Sequence, residues 1–503
     1  MSPRKAAAVV ASVACVLTSA CAAATGQVDG NASASGGLER FYTQHPEWKA
    51  CNDEGLDTAG AQCADITVPL NYAEPQGRTI TVVISRLRAA DPAKRRGIML
   101  SNPGGPGGPG LDSMLNTREA MTTDVRDRYD LIGMDPRGVG RSTPVNCGWP
   151  VGFGMESAGE NPASFGKSVA EQADMAARCL AAERDKLPYI TTRNTARDMD
   201  VIRGALGEEK ISYFGTSYGT YLGAVFTQMF PDRSDRMVLD SAVDPQRYGM
   251  GMKQDMGAAN EAALDAWADW TAARNDEYRL GTTRSEVRSV VTGLIRQSAS
   301  TPIRIGSYEI DDRWLPTLLF TALDDPRHYD VPADYVRRLA DAAAGKPVQP
   351  SEKLETDLAS LLTARPRDNS PMIAIMCGDV SFPRDPQWYW HNVEASRATQ
   401  PVFGPFVNNI ISCAFWPQPV EPPTAVHNQV PALIVQATGD TRTAYEEGVG
   451  LHRAMTASRL VTLQDVRIHS VYDRFPNRCV KNAVNTYFRD GTLPTTDMSC
   501  TAD

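Results

Sequence analysis

The sequence predicts an α/β fold with a mainly parallel central sheet and a large helical cap insertion, and three observations carry that prediction. Short apolar runs alternate with helix-patterned stretches from Ile66 to Leu239, the signature of strands joined by helical crossovers. The alternation lapses between 246 and about 426, where helical spacing takes over, and returns at Ala432. Residues 211–220 read as strand, tight turn and helix around Gly215-Thr216-Ser217-Tyr218-Gly219.

That last stretch fits G-x-S-x-G in the context a strained nucleophile turn requires. Ile211–Phe214 is an apolar run suited to a buried strand, and Tyr221–Phe230 suits a buried helix stopped by Pro231. Gly215 and Gly219 lack a Cβ, so strand and helix can approach around an exposed Ser217. The plain structural alternative is a glycine-rich turn with an incidental serine.

The other elements follow in order. Leu38–Gln44 reads as a short helix. Ile66–Leu70 and Thr79–Leu87 read as strands joined by a turn carrying Pro75 and Gly77. Gly97–Leu100 is a third strand, ending in Ser101-Asn102-Pro103-Gly104-Gly105-Pro106-Gly107-Gly108-Pro109-Gly110. This loop lacks the Gly-Lys-Ser/Thr ending of a phosphate-binding loop. Its other mechanical use is to offer a backbone N–H to an oxyanion; a stiffened surface loop is the alternative. Tyr129–Met134 is a strand, and the Asp135-Pro136-Arg137-Gly138 turn after it is expected to be structural, with ion pairs. Ala170–Arg184 and Thr195–Leu206 are helices leading to the Ser217 strand, and Arg236–Leu239 is the strand after it. In the insertion, Ala258–Arg274, Arg284–Ser298, Arg313–Leu323 and Ala333–Ala344 have helical spacing. Its tryptophans, among them Trp267, Trp314 and Trp416, fit the core of a cap better than a pocket wall. Ala432–Gln436, the helix Tyr445–Ala457 and a last strand Arg459–Leu463 complete the sheet.

The chain has 503 residues and a formal charge of -9 with no long basic block, which disfavours nucleic acid as a partner. Residues 1–20 read as a signal peptide: Arg4 and Lys5, the apolar stretch Ala6–Leu17, then small residues. Leu17–Cys21 resembles a loose bacterial lipobox with Thr18 where leucine is preferred, so Cys21 is a lipidation candidate and free secretion the alternative. Residues 21–37 are a flexible tether rich in Ala, Gly, Ser and Asn. The expected domains are 38–245 as the first part of the core, 246–426 as the cap and 427–503 as the C-terminal part of the core. Cys51, Cys63, Cys147, Cys179, Cys377, Cys413, Cys479 and Cys500 form an even set in an exported chain, which suggests disulfides. Pairing neighbours in sequence gives 51–63, 147–179, 377–413 and 479–500, although count alone leaves other connectivities open. No CxxC occurs, so zinc-ribbon and thioredoxin-like sites have no support.

A serine hydroxyl needs a base, and the base needs an acid to orient it. Of the six histidines, His469 alone follows the last expected strand. His45 and His427 precede strands, His328 and His391 fall in the cap, and His452 lies inside a helix. Asp440 directly follows a strand, with Asp240 and Asp244 as runners-up; Thr443 is placed to bond the acid or the histidine loop. Ser217, Asp440 and His469 therefore read as nucleophile, acid and base of acyl transfer. The N–H groups of Tyr218 and Gly105 are the candidate oxyanion hole. No metal or organic cofactor is required.

Taken together, Asn102-Pro103-Gly104-Gly105-Pro106-Gly107-Gly108, Asp135-Pro136-Arg137-Gly138, Gly215-Thr216-Ser217-Tyr218-Gly219-Thr220 and the Asp440 and His469 loops resemble the exported tripeptidyl aminopeptidases of bacteria. These are α/β-hydrolases related to prolyl iminopeptidases. The resemblance runs from about Leu38 to Cys500 and includes Cys377, Cys413-Ala414-Phe415-Trp416-Pro417 and the terminal Cys479 and Cys500. The chain departs from the family at Thr443-Ala444, often Thr-Pro, and at Ile468-His469-Ser470, often a Gly-His-Gly-like turn. It also lacks a cysteine pair near Trp270–Leu280. The resemblance implies release of short peptides, typically tripeptides, from free N-termini of peptides or proteins. An acidic cap group must then pair with the substrate ammonium; Asp379 is one candidate, with a structural role as its alternative. An exported esterase or lipase using the same triad, and a non-catalytic surface binding lipoprotein, are the competing readings. Oligomeric state is not legible.

Overall fold

The computed structural model describes residues 37–365 and 368–502. The expected signal peptide, most of the tether and the lipidation candidate Cys21 lie outside the described residues.

Nine strands form one sheet. In chain order they are β1 (Gln62–Pro69), β2 (Thr79–Leu87), β3 (Gly97–Asn102), β4 (Tyr129–Met134), β5 (Ile211–Thr216) and β6 (Ser234–Asp240). The short hairpin β7 (Ile303–Ile305) and β8 (Tyr308–Ile310) stands apart, and β9 (Ala432–Ala437), β10 (Arg459–Leu463) and β11 (Met498–Cys500) complete the main sheet. The order across it is β1-β2-β4-β3-β5-β6-β9-β10-β11. β2 pairs antiparallel with both β1 and β4, and every other pairing is parallel. β3, β4, β5 and β9 are buried along their whole length, as strands covered by helices on both faces must be. Their sequences are accordingly apolar runs rather than alternations.

The strands Thr79–Leu87, Tyr129–Met134 and Arg459–Leu463 have the bounds their sequence implies. One expectation is corrected: Arg459–Leu463 is not the last strand. β11 adds in parallel at the sheet edge, Leu463 opposite Cys500. The helix after Ser217 also starts earlier than its apolar run, at Tyr218.

The chain runs from β3 to β4, then returns past β3 to β5 and continues outward. β3 and β5 are neighbours, with Asn102 opposite Gly215. Loops leaving their carboxyl ends diverge there, which is where open α/β sheets bind ligands. The glycine-rich loop leaves β3 and Ser217 follows β5.

The helices between β6 and β9 include Met250–Ala272, Arg284–Ser300, Trp314–Ala322, Asp330–Ala343 and Ser370–Asp379. The first four enclose their own apolar cluster around Trp267, Leu315, Tyr335 and Phe406, whereas Ser370–Asp379 packs through Ile373, Ile375 and Met376 into the core cluster of the sheet. Residues from the β4–β5 connection also join these helices. The Trp149 N–H donates to Asp368 at 2.8 Å, the Ser157 N–H to the Arg313 carbonyl at 3.0 Å, and Glu156 pairs with Arg313 at 3.3 Å. Disulfides join Cys51 to Cys63, Cys147 to Cys179, Cys377 to Cys413 and Cys479 to Cys500.

Candidate active site

Ser217 sits between β5 and the helix Tyr218–Met229 with φ 59° and ψ -128°. That backbone is costly for a residue with a Cβ, and it persists only where the surroundings fix it. Here the glycines fix it. A Cβ at Gly215 would stand 2.5 Å from the Gly219 carbonyl oxygen, and one at Gly104 would stand 2.6 Å from the Thr216 carbonyl oxygen. The Ser217 N–H donates to the Asp240 carbonyl at 2.9 Å, tying the turn to the end of β6.

Asp440 follows β9 and is fully buried. Its carboxylate meets His469 Nδ1 at 2.9 and 3.0 Å. The Arg442 and Thr443 N–H groups donate to Oδ1 at 2.8 and 3.0 Å, and the Thr443 hydroxyl donates to Oδ2 at 3.0 Å. Burial alone would raise the pKa of Asp440. The His469 charge and hydrogen bond, with these N–H donors, outweigh it and hold the carboxyl below the usual range.

The runner-up acids have other partners. Asp240, at the end of β6, accepts from the Val471 and Tyr472 N–H groups at 3.1 and 2.7 Å. Beside it, the Ser241 hydroxyl accepts from the Ser470 N–H at 2.8 Å. Both residues therefore anchor the turn that carries His469, an arrangement with no local signal in the sequence. Asp244 closes its own turn on Gln246. His452 bonds Ser458 and faces Asp497, away from the Asp440–His469 pair.

Ser217 and His469 open onto one cavity of about 580 Å³. Gly105 and Tyr218 line it as well. Among the described residues the Gly105 N–H has no hydrogen-bond acceptor, whereas the Gly104 N–H is taken by Asn102 Oδ1 at 3.0 Å. Met252, Met256, Phe320 and Met372 close the cavity from the cap side. None of the tryptophans lines it; Trp267, Trp314 and Trp416 are buried in packing.

Asp379 is not on this wall. It accepts from the Thr192 N–H at 2.7 Å, the Thr192 hydroxyl at 2.6 Å and the Tyr248 hydroxyl at 3.1 Å. Burial pushes its pKa up to about 7. The acid that does line the cavity is Asp368, which sequence reasoning did not single out. It reaches the wall through tertiary packing, and its neighbours in sequence carry no motif. Of the expected ion-pair residues in the turn after β4, Arg137 pairs with Asp198 in full burial. Asp135 instead accepts backbone N–H groups from Gly110, Leu111 and Arg141, fixing the end of the glycine-rich loop. Among the described residues no group of His, Cys, Asp and Glu is arranged to hold a metal ion.

Comparison with known proteins agrees with this geometry. Residues 97–326 match the model of the alpha/beta hydrolase fold, and residues 400–500 match that of TAP-like proteins. The tripeptidyl aminopeptidase of Streptomyces lividans is 33% identical, covering 90% of this chain and 86% of its own. Serine protease Hip1 of Mycobacterium tuberculosis is 28% identical over 91% of each chain. Carboxylesterase B of the same organism is 30% identical, covering 90% of this chain and 89% of its own. With a nucleophile turn after β5 and a buried acid–histidine pair after β9 and β10, the chain belongs to the tripeptidyl aminopeptidase family of α/β-hydrolases.

Proposed function

We propose that the protein is an exported serine peptidase that releases short peptides, tripeptides in the main, from free N-termini through an acyl-enzyme on Ser217. The observation that carries this reading is the Asp440–His469 pair opening onto the same cavity as Ser217. Asp440 engages Nδ1, which leaves Nε2 of His469 to take the Ser217 proton as Oγ attacks the substrate carbonyl. His469 then protonates the leaving amine, and water cleaves the ester while the same imidazole acts as base. The Tyr218 and Gly105 N–H groups hold the oxyanion. Asp368, the acid in the cavity wall, would meet the substrate ammonium through the accepting capacity left beside its Trp149 and Ser370 donors. The four disulfides support an oxidising compartment outside the cytoplasm, and Cys21 would carry a lipid anchor.

Chromophore release from tripeptide anilides with free or acetylated N-termini tests this reading. Cleavage confined to the free amine and abolished by Ser217→Ala is the expected result. Asp368→Asn should shrink the discrimination between the two substrates. The resemblance to Carboxylesterase B favours a second reading, an esterase with the same triad. Ser217-dependent hydrolysis of simple esters without amide cleavage would replace the first reading with the second. Loss of membrane association in Cys21→Ser would test the anchor.

A further inference from the structure

The cavity wall holds two arginines, Arg442 and Arg365, and one acid, Asp368. The acid already accepts three protein donors: the Trp149 N–H and both the N–H and hydroxyl of Ser370. Among the described residues neither arginine has a carboxylate partner. Arg365 is exposed and touches the Ser360 hydroxyl at 3.2 Å. Arg442 is the better-fixed group. Its guanidinium lies 3.6 Å from the centre of the Phe320 ring and donates to the Phe320 carbonyl, with Asn260 Oδ1 at 3.4 Å. Neutral acceptors thus hold a cation in one orientation in the wall of the cavity that Ser217 also lines.

Arg442 is partly buried, and a guanidinium that gives up part of its water without a counter-ion is held at a cost. Burial depresses the Arg442 pKa, and the nearest acids are otherwise occupied. Asp440 is engaged by His469, and Asp324 pairs with Arg474 at 2.9 Å. An incoming carboxylate would offset that cost through charge-assisted hydrogen bonds in a planar fork.

We infer that Arg442 forms an anion-recognising subsite, so that the preferred substrates carry a carboxylate side chain, Asp or Glu, in the fragment bound next to Ser217. This inference rests on Ser217 being the reacting residue of the cavity, but not on the scissile bond being an amide.

The test compares matched pairs that differ only in charge. Free-amine tripeptide anilides containing Glu or Gln form one pair. A nitrophenyl ester of a dicarboxylic half-acid and a neutral ester of equal length form the second. Binding of Glu- or Gln-containing tripeptide amides to Ser217→Ala protein, read by calorimetry, is a third measurement that needs no turnover. The expected ratio favours the acid by about tenfold, the scale of one hydrogen bond to a charged group, and falls with added salt. It should collapse toward one in Arg442→Gln and survive in part in Arg442→Lys, each checked for folding by its thermal melt. Anilide and ester turnover also separate the two ideas: an esterase would show the charge preference in the ester pair alone. No preference for the acid in any measurement, or one that Arg442→Gln leaves intact, overturns the inference.

Discussion

Asp440, Asp240 and Asp379 are all buried, and the groups facing each one decide its charge and its part in the chemistry. Asp440 faces His469 and stays ionised, as the acid of the proposed triad requires. Asp440→Asn should lower kcat by about 10³ to 10⁴ with little change in KM; unchanged kcat would remove it from the triad. Asp240 and Asp379 make no hydrogen bond to an imidazole, and burial lifts each to about 7; at Asp240 the Asp473 charge adds to burial and the His469 charge only partly opposes it. For Asp379 the folded pKa lies above the unfolded value of about 3.9. Between these values the native state holds a proton that the unfolded chain releases, so stability from this residue falls as pH rises through the window. Asparagine carries no such proton. The stability of Asp379→Asn relative to wild type should therefore rise between pH 4.5 and 7.5, by up to a few kcal/mol. Urea melts at the two pH values measure it, and a constant difference would mean that Asp379 is ionised throughout.

The helix Ser370–Asp379 braces the nucleophile turn from both ends. At its start, Met372 packs on the glycine-rich loop so closely that a Cβ at Gly107 would lie 2.7 Å from the Met372 nitrogen. At its end, Asp379 holds Thr192, whose hydroxyl lies 2.6 Å from that of Tyr218. Gly107 also has φ 84°, a conformation that disfavours any other residue. Gly107→Ala should displace the loop against the helix, lowering kcat about tenfold or more and costing about 1–3 kcal/mol of stability. A variant with full activity would show that the loop yields without moving its N–H groups. This brace was not legible in the sequence, because Met372 and Asp379 are brought to the site by packing. Ser217 was legible because one local motif encodes strand, turn and helix. The candidates Asp440 and His469 could be read because each comes after an apolar run taken as a late strand, in the chain order such an acid and base follow. β11 escaped notice: Met-Ser-Cys is too short to show a period, and it is held by its neighbour and a disulfide.

At the scale of the molecule, polar contacts tie the cap to the core, and one of them lies in the cavity wall. The Asn260 side chain donates to the Thr441 carbonyl at 2.7 Å, Arg474 pairs with Asp324, and Arg442 reaches Phe320. Cys377–Cys413 is a covalent tie within the insertion, closing a loop of separation 36 from the bracing helix to the segment that leads back to β9, with both cysteines packed in the core cluster of the sheet. By the chain-entropy account a loop of that length contributes about 3–4 kcal/mol. Replacing both cysteines by serine should lower the melting temperature and loosen the helix that supports the glycine-rich loop. Because that helix meets the cavity through Met372, KM and kcat should both suffer well below the melting transition. Cys479→Ser with Cys500→Ser is the matched control. It removes a bridge between β11 and the helix Arg478–Asp490, at the sheet edge away from the cap. That pair should lower stability while leaving kcat/KM near wild type at temperatures where the protein is folded. Equal losses of activity in both variants would mean that the cap is held by the whole core and not by the brace at Cys377.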